Sequence, residues 1–233
     1  MMRNRISVID AVLAEGEPVV FKEARLGDKQ SIANIFEKTY ECKYGEGESV
    51  FKSFIGLGAV VVDFLITKLK SEQDGKAPKV NAIRALGEIG DVRALEPLIE
   101  AIMTMDADFS DAPLEALYKI GSPGAFAQLL NILERIHTLQ SPNLQYTLQF
   151  KIVNTLNRIL ERVAAEIPDN DLIAASEIKD VSVRLFRFIE TGEAEDAYGH
   201  YTSGYRSEVT DTIDCASLRE AAQREIKRRD LVG

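Results

Sequence analysis

The chain has 233 residues, which fits one or two ordinary domains or a single repeat array of about six units. Its 37 acidic and 28 basic residues give a formal net charge of −9, whereas a duplex-binding protein normally needs a basic surface to neutralise phosphates. Nucleic acid is therefore disfavoured as a partner. Aromatic residues make up only 7% and Trp is absent, so aliphatic stripes must fill the core.

The two cysteines and the hydropathy pattern indicate the cellular compartment of the protein. Cys42 and Cys215 stand in unrelated contexts, which is typical of free thiols in a reducing environment. No apolar run reaches the roughly 18 residues that a membrane span needs, and the chain starts without a signal-like pattern. We therefore expect a soluble cytoplasmic protein that does not contact a membrane.

The first predicted elements are helices that share one glycine spacing. An amphipathic stripe over 6–14 predicts a short N-terminal capping helix. Gly27, Gly58, Gly90 and Gly121 then lie 31, 32 and 31 residues apart, and a fixed period of roughly 20–50 residues is the signature of a solenoid. Apolar residues keep fixed positions around these glycines: Leu26, Leu57, Ile89 and Ile120 one before; Ile35, Ile66, Leu98 and Leu129 eight after; Phe54, Leu86 and Leu117 four before; Phe51, Ile83 and Leu114 seven before.

The chemistry at each glycine predicts a helix–turn–helix unit. Glycine ends a helix in the left-handed conformation without a Cβ penalty. Asp28, Asp91 and Ser122 follow three of the glycines and can cap the next helix, whereas Ala59 makes the second copy weaker. Each unit is thus a helix A, a turn and a helix B, and neighbouring units must stack to bury their stripes.

The best-preserved copy carries a resemblance. Ala82-Ile83-Arg84-Ala85-Leu86-Gly87-Glu88-Ile89-Gly90-Asp91, followed by Ala94-Leu95-Glu96-Pro97-Leu98-Ile99, resembles a HEAT repeat and is most similar to the HEAT-like repeats of phycobilisome lyases and related prokaryotic proteins. The likeness is specific at 77–104, good at 110–136 and degenerate at 18–41 and 49–71, roughly half the chain. The family usually has Arg after the Val of helix A, where this chain has Asn81.

The resemblance implies the fold class. We expect an all-α protein, a right-handed α-α superhelix (HEAT-like α-solenoid, armadillo-like) of about five to six helix pairs. A single solenoid would cover 1–233, with regular repeats over about 18–138 and irregular units over 142–233.

The second half of the chain departs from the period. The pattern predicts a long helix from Leu144 to Val163, a short partner around Leu172 and a further helix with Val181, Leu185, Phe188 and Ile189 on one face. A long loop is predicted over 190–213, and a last helix starts near Asp214 or Ser217, where Ser217 and Glu220 match a capping box.

The residues that could carry chemistry are sparse. His137 and His200 lie 63 residues apart, and the phosphate-loop, Cys-x-x-Cys, His-Glu and Gly-x-Ser-x-Gly patterns are absent. The acidic run at 106–111 lacks the central Gly and distal Glu of a calcium loop. Cys42 beside Lys43 has no visible base, and Glu96 with Glu100 is more typical of a solvated helix face than of acid–base catalysis. The sequence favours a non-enzymatic protein with no catalytic residue, cofactor or metal.

Two groups of residues are candidates for binding. B helices line the concave face of HEAT stacks, and the positions that avoid the apolar stripe there should face a partner. This surface comprises Phe64, Lys68, Arg93, Glu96, Glu100 and Asn131. Phe64 is its apolar exception, and burial against the next unit is favoured over a role as an anchor for a partner. The second group is the aromatic cluster Tyr198, His200, Tyr201 and Tyr205, which could anchor a partner or simply pack on the last helices.

The function predicted from these features is a scaffold or adaptor that binds another protein or peptide on the concave face. Two alternatives stay open. The resemblance implies a bilin lyase-like or chromophore-handling chaperone, and HEAT-like DNA-repair proteins are a third class that the acidic charge disfavours.

Overall fold

The computed structural model describes residues 19–41, 46–104, 111–135, 142–190 and 204–229, and divides into two compact units, Met1–Ala125 and Phe126–Gly233. The N-terminal capping helix predicted over 6–14 lies outside the described residues, as do Cys42, 105–110 and His137. A single solenoid over the whole chain stays a prediction.

The first unit is built from helix pairs. Its helices are α1 (Val19–Arg25), α2 (Lys29–Glu41), α3 (Glu46–Ile55), α4 (Val62–Lys70), α5 (Lys76–Ile89), α6 (Leu95–Thr104) and α7 (Asp111–Ile120). The unit boundary falls within α8 (Pro123–Arg135). Short 3-10 turns, Gly58–Val61 and Val92–Ala94, precede α4 and α6. The pairs are α1/α2, α3/α4 and α5/α6, with α7 as the A helix of the fourth repeat, and this part of the chain confirms the predicted all-α class.

The four repeat glycines all adopt the left-handed conformation. Their φ angles are +87° at Gly27, +61° at Gly58, +74° at Gly90 and +58° at Gly121. The Gly90 N–H donates to the Leu86 carbonyl at 3.1 Å, as expected of a left-handed helix end. The glycine spacing therefore located the turns between A and B helices correctly.

The predicted caps are also confirmed. The Asp28 carboxylate accepts from the Ser31 N–H at 2.8 Å, and the Ser31 backbone and hydroxyl hold the pKa of Asp28 below its usual value. The Asp91 carboxylate accepts from the Arg93 N–H at 2.9 Å, and the Ser122 hydroxyl accepts from the Ala125 N–H at 3.2 Å. The turn after Gly58 and helix α4 begin without a side-chain cap, as Ala59 predicted.

The apolar columns form the core. Residues at two of the repeated positions are fully buried, namely Ile35, Leu98 and Leu129 eight after the glycine and Phe54, Leu86 and Leu117 four before it, whereas Ile66 is half-buried. Leu26 departs from its column, because it is 88% exposed whereas the equivalent Leu57 is buried. The stripes predicted from sequence are thus the faces that the helices turn inward.

A close helix contact joins the third pair to the fourth repeat. Helices α5 and α7 pack together, and a Cβ built on Gly87 would lie 2.7 Å from the Ala116 Cα and 2.9 Å from its Cβ. Real side chains do not approach so closely, so this crossing requires glycine. Gly87 therefore sets the distance between two A helices rather than forming a turn.

A buried polar link joins α5 to α2. Asn81, at the position where the resembled family usually has Arg, donates from Nδ2 to the Thr39 hydroxyl at 2.7 Å. The Thr39 hydroxyl donates in turn to the Phe36 carbonyl at 2.6 Å. Because both side chains are buried, these bonds satisfy groups that would otherwise be costly to desolvate.

The second unit has a long helix, a hairpin and a C-terminal helix. Its elements after α8 are α9 (Pro142–Val163), a 3-10 turn (Ala164–Glu166), α10 (Asp169–Glu177), β1 (Val181–Glu190), β2 (Gly204–Ile213) and α11 (Ala216–Arg228). The long helix ending at Val163 and its short partner around Leu172 are confirmed. Helix α11 packs on α10, and β1 packs on α9.

The helix predicted over 181–189 is wrong. These residues form strand β1, which pairs antiparallel with β2 so that Val181 lies opposite Ile213 and Leu185 opposite Val209. The segment is rich in β-branched and aromatic residues and alternates at Val181, Val183 and Leu185, which favours a strand. The loop predicted over 190–213 is corrected as well, because 204–213 belong to β2; residues 191–203 lie outside the described part.

The start of the last helix follows Asp214 rather than the predicted capping box. The Asp214 carboxylate accepts from the Ala216 N–H at 2.7 Å, whereas the Ser217 hydroxyl accepts from Asn157 Nδ2 at 3.1 Å. Ser217 lies inside α11 and joins this helix to α9.

Arginines near the end of α11 brace the second unit. Glu225 is buried, and hydrogen bonds from Arg228 and Arg229 hold its pKa down at about 2. Arg229 also donates to the carbonyls of Ile167 (2.9 Å) and Ala164 and to the Asp169 carboxylate (2.7 Å). Arg229 of the basic run at 227–229 thus holds α11 against the segment between α9 and α10.

No single helix among the described residues is long and apolar enough to cross a membrane. The segments Gly47–Ile55 and Gly58–Lys70 reach that length and composition only together, and they are bent by 103°.

Candidate functional site

A cleft opens between two B helices of the first unit. Its volume is about 330 Å³, and its walls come from the end of α4, the following loop, the first turn of α5 and helix α6. Leu69, Pro97 and Ala101 are buried and form an apolar floor. Pockets of roughly 300–1,000 Å³ hold ligands in proteins, so this cleft is large enough to take side chains of a partner.

Charged side chains surround the apolar floor. Lys70 and Glu100 form an ion pair of 2.7 Å in which the two side chains are 51% and 57% exposed. Glu72 and Lys79 also line the cleft, and Thr104 adds a hydroxyl that donates to the Glu100 carbonyl at 2.9 Å. Exposed ion pairs contribute little stability, so a partner could exchange them at low cost.

Helix α6 extends this rim along its exposed face. Glu96 and Glu100 lie one turn apart and both are exposed, and Met103 is partly exposed beyond them. The candidates Glu96 and Glu100 therefore face solvent, as the sequence predicted, and Glu100 lies at the cleft itself.

The candidate Phe64 belongs to the packing between pairs. Its ring meets that of Phe36 edge-on, with centroids 5.4 Å apart, which joins α4 to α2. The Lys68 ammonium lies 5.9 Å from the Phe64 ring centroid and forms an ion pair of 3.2 Å with Asp74. Phe64 and Lys68 are both partly buried, so their contacts within the protein account for them.

The candidate Arg93 connects two turns. It donates to the Ala59 carbonyl at 3.0 Å, to Asp63 Oδ1 at 2.9 Å and to the Asp91 carboxylate at 2.8 Å. The hydrogen bond from the Arg93 side chain lowers the pKa of Asp91. Arg93 therefore has a bracing role between the second and third pairs.

The other candidates stand elsewhere. Asn131 is exposed on α8, in the second unit. Tyr205 lies in β2 opposite Ile189, which makes it part of a strand rather than of a loop. Tyr198, His200 and Tyr201 lie outside the described residues, so the aromatic cluster stays a prediction.

A second groove lies on the A-helix side. It measures about 370 Å³ between α5 and α7, and its walls are Val80, Arg84, Asp111, Ala112, Glu115, Ala116 and Lys119. Its charges are engaged within the protein: Arg84 stacks on Phe51 at 4.6 Å, and Lys119 bonds Glu88 at 2.6 Å. The cleft on the B-helix side offers more available charge.

Within the described ranges, no cluster of three or more His, Cys, Asp or Glu side chains could hold a metal ion. Cys215 is a buried free thiol, and burial raises its pKa, which disfavours the reactive thiolate.

The third pair, which forms much of the cleft, is also the part of the chain that matches a known protein family. Residues 78–102 match the PBS lyase HEAT-like repeat. This confirms the resemblance seen in the sequence and identifies α5 and α6 as one HEAT-like repeat. No curated protein matches the chain.

The HEAT-like repeat supplies Lys79, Pro97, Glu100 and Ala101 to the cleft, and the preceding pair supplies Leu69 and Lys70. Sequence reasoning found Glu100 but missed Lys70, Glu72 and Lys79. These lie near helix ends, outside the columns counted from the glycine, and only the run of charge over 68–79 could have pointed to them.

Proposed function

We propose that this chain is a non-enzymatic interaction scaffold that binds a segment of another protein along the B helices of its second and third pairs. The observation that carries the proposal is the cleft between α4 and α6, with its buried apolar floor and exposed ionic rim. An apolar pocket surrounded by polar groups is the usual anatomy of a protein-binding hot spot.

The exposure of the B helices supports this assignment. Glu96, Glu100 and Thr104 repeat along one side of α6 and are all exposed. Helical repeats present such ridges to extended partners, and HEAT-like pairs add their surfaces together. We further propose that the protein acts in the cytoplasm.

Site-specific cross-linking tests the proposal. A photoreactive amino acid is placed at Glu100 on the cleft and, as a control, at Lys52, which is exposed on α3 and lines neither cavity. We expect one defined cross-linked partner from Glu100 and not from Lys52. Equal cross-linking at the two positions, or none at Glu100, would count against binding at the cleft.

The match to the PBS lyase HEAT-like repeat favours one alternative, a chromophore-handling role. Co-expression with a bilin and its acceptor subunit would then give a coloured product that depends on this chain. An absorbance spectrum identical with and without the chain would remove this alternative.

A further inference from the structure

The cleft is electrically two-sided. The stretch that ends α4 and starts α5 carries Lys68, Lys70, Lys76 and Lys79 against Glu72 and Asp74, whereas the exposed ridge of α6 carries Glu96 and Glu100. The apolar floor of Leu69, Pro97 and Ala101 belongs to the same cleft, whose walls come from both regions. We call the first region the basic side and the second the acidic side.

Helix α5 begins at the basic side and adds to the positive charge of that side. Helix α5 starts after Gly75, without a side-chain cap and without an acidic residue in its first turn, while Lys76 and Lys79 lie in that turn. A helix N-terminus carries a partial positive charge, which acidic residues usually offset. Here the dipole and the lysines add together beside the cleft.

Each side holds a charge that is free to meet a partner, Lys79 on the basic side and Glu96 on the acidic side. Glu72, Lys79 and Glu96 form no ion pair within the described residues. Lys70 and Glu100 pair with each other across the two sides, but both are about half exposed. An occupant with one charge of each sign could therefore pair its acidic residue with Lys79 and its basic residue with Glu96.

We infer that the cleft selects a mixed-charge peptide segment of another protein, in which an apolar side chain lies between an acidic and a basic residue. The apolar side chain enters over Leu69, Pro97 and Ala101. The acidic residue faces Lys79 and the start of α5, and the basic residue faces Glu96. This inference rests on the proposed function and names the chemistry of its partner.

Synthetic peptides with one central Leu test the inference on the full chain. Four classes carry flanking charges that are mixed, all acidic, all basic or absent, and fluorescence anisotropy measures their affinities. We expect the mixed class to bind about tenfold more tightly than each of the others, since two exposed charge pairs contribute on this scale. Equal affinities across the four classes would overturn the inference.

Two single variants test the sign of each side. Lys79→Glu removes the net positive charge of the basic side and shifts the preference towards the all-basic peptide, whereas Glu96→Lys removes the net negative charge of the acidic side and shifts it towards the all-acidic peptide. Far-UV circular dichroism checks that both variants keep their helices. If both variants still preferred the mixed-charge peptides, the inference would be overturned, because Lys79 and Glu96 would then not recognise the charges of the peptide.

Other occupants give distinct results. Competition by free glutamate or lysine at equal concentration would assign the cleft to a small zwitterion, and self-association that Thr104→Trp removes would assign it to a second copy; either overturns the inference. Cross-linking at Glu100 together with indifferent peptide classes removes only the mixed-charge rule. Failure of the cross-link removes the proposed function itself.

Discussion

The Arg93 guanidinium donates to the Ala59 backbone carbonyl at 3.0 Å and so connects the turn of the third pair to the turn of the second. The second turn lacks the capping side chain that Asp28, Asp91 and Ser122 give the other three. An arginine from the neighbouring repeat therefore supports the one turn whose own sequence is weakest.

Replacing Arg93 should lower stability modestly. Arg93→Ala removes the bonds to Ala59 and Asp63, so we expect a lower urea midpoint with an unchanged slope. The shift is small because both charges are exposed, and it shrinks in high salt. The urea midpoint of Arg93→Lys should be intermediate, since an ammonium keeps the charge but lacks the several N–H donors of the planar guanidinium. If Arg93→Ala had the same urea midpoint as the wild type at low salt, this bracing role would be contradicted.

Gly87→Ala should destabilise the first unit through overpacking. The added Cβ would meet the Ala116 backbone at 2.7 Å, and forcing such helices apart typically costs about 1–3 kcal/mol. The matched control is Gly75→Ala, where a Cβ meets nothing within 4 Å and φ is −67°. Chemical denaturation should show a clearly larger loss for Gly87→Ala, and equal losses would mean that the close crossing is absent.

The buried bond between Asn81 and Thr39 should appear as an energetic coupling. Asn81→Ala leaves the Thr39 hydroxyl with one buried partner fewer, at a cost of about 1–3 kcal/mol. A double-mutant cycle with Thr39→Val should give a coupling of about 0.5–3 kcal/mol. Additive effects of the two substitutions would show that the side chains do not interact.

Glu225 should make the protein sensitive to acid. Its pKa is about 2 in the folded protein and 4.5 ordinarily, so its contribution to stability is complete above about pH 5. It is lost as the pH falls from 4.5 towards 2, and we expect a loss of roughly 1–3 kcal/mol. Glu225→Gln should be less stable at pH 7 and lose less on acidification. Chemical denaturation at several pH values gives the free energy of unfolding of each protein. If this free energy fell equally with pH in the wild type and in Glu225→Gln, the lowered pKa of Glu225 would be contradicted.

How much could be predicted depended on how local each signal is. Gly90, Asp91 and Leu98 lie within one repeat, so their spacing alone indicated a turn, a cap and a buried face, all of which are present. Strand β1 was missed because it pairs with residues 14 to 32 positions away, and the helical spacing of Val181 and Leu185 concealed their alternation.

The candidate site was harder to predict for the same physical reason. Glu100 was recognised as exposed from its helix alone, but its partner Lys70 lies 30 residues earlier and meets it only after the pairs pack. Arg93 and Phe64 were predicted to face a partner; both also contact neighbouring turns and rings within the fold, and their role towards a partner stays a prediction. Helical periodicity separates buried from exposed faces, but it does not show which exposed side chains bind each other.

Blocking the cleft tests the central claim most directly. Thr104→Trp places a large ring at the cleft, while Thr67→Trp is a matched control on α4, away from the cleft. Both threonines are exposed and donate to the carbonyl four residues earlier. With the partner identified by cross-linking, we predict at least about a tenfold loss of affinity for Thr104→Trp and little change for Thr67→Trp. Unchanged affinity of the Thr104→Trp variant would contradict the assignment of the cleft as the binding site.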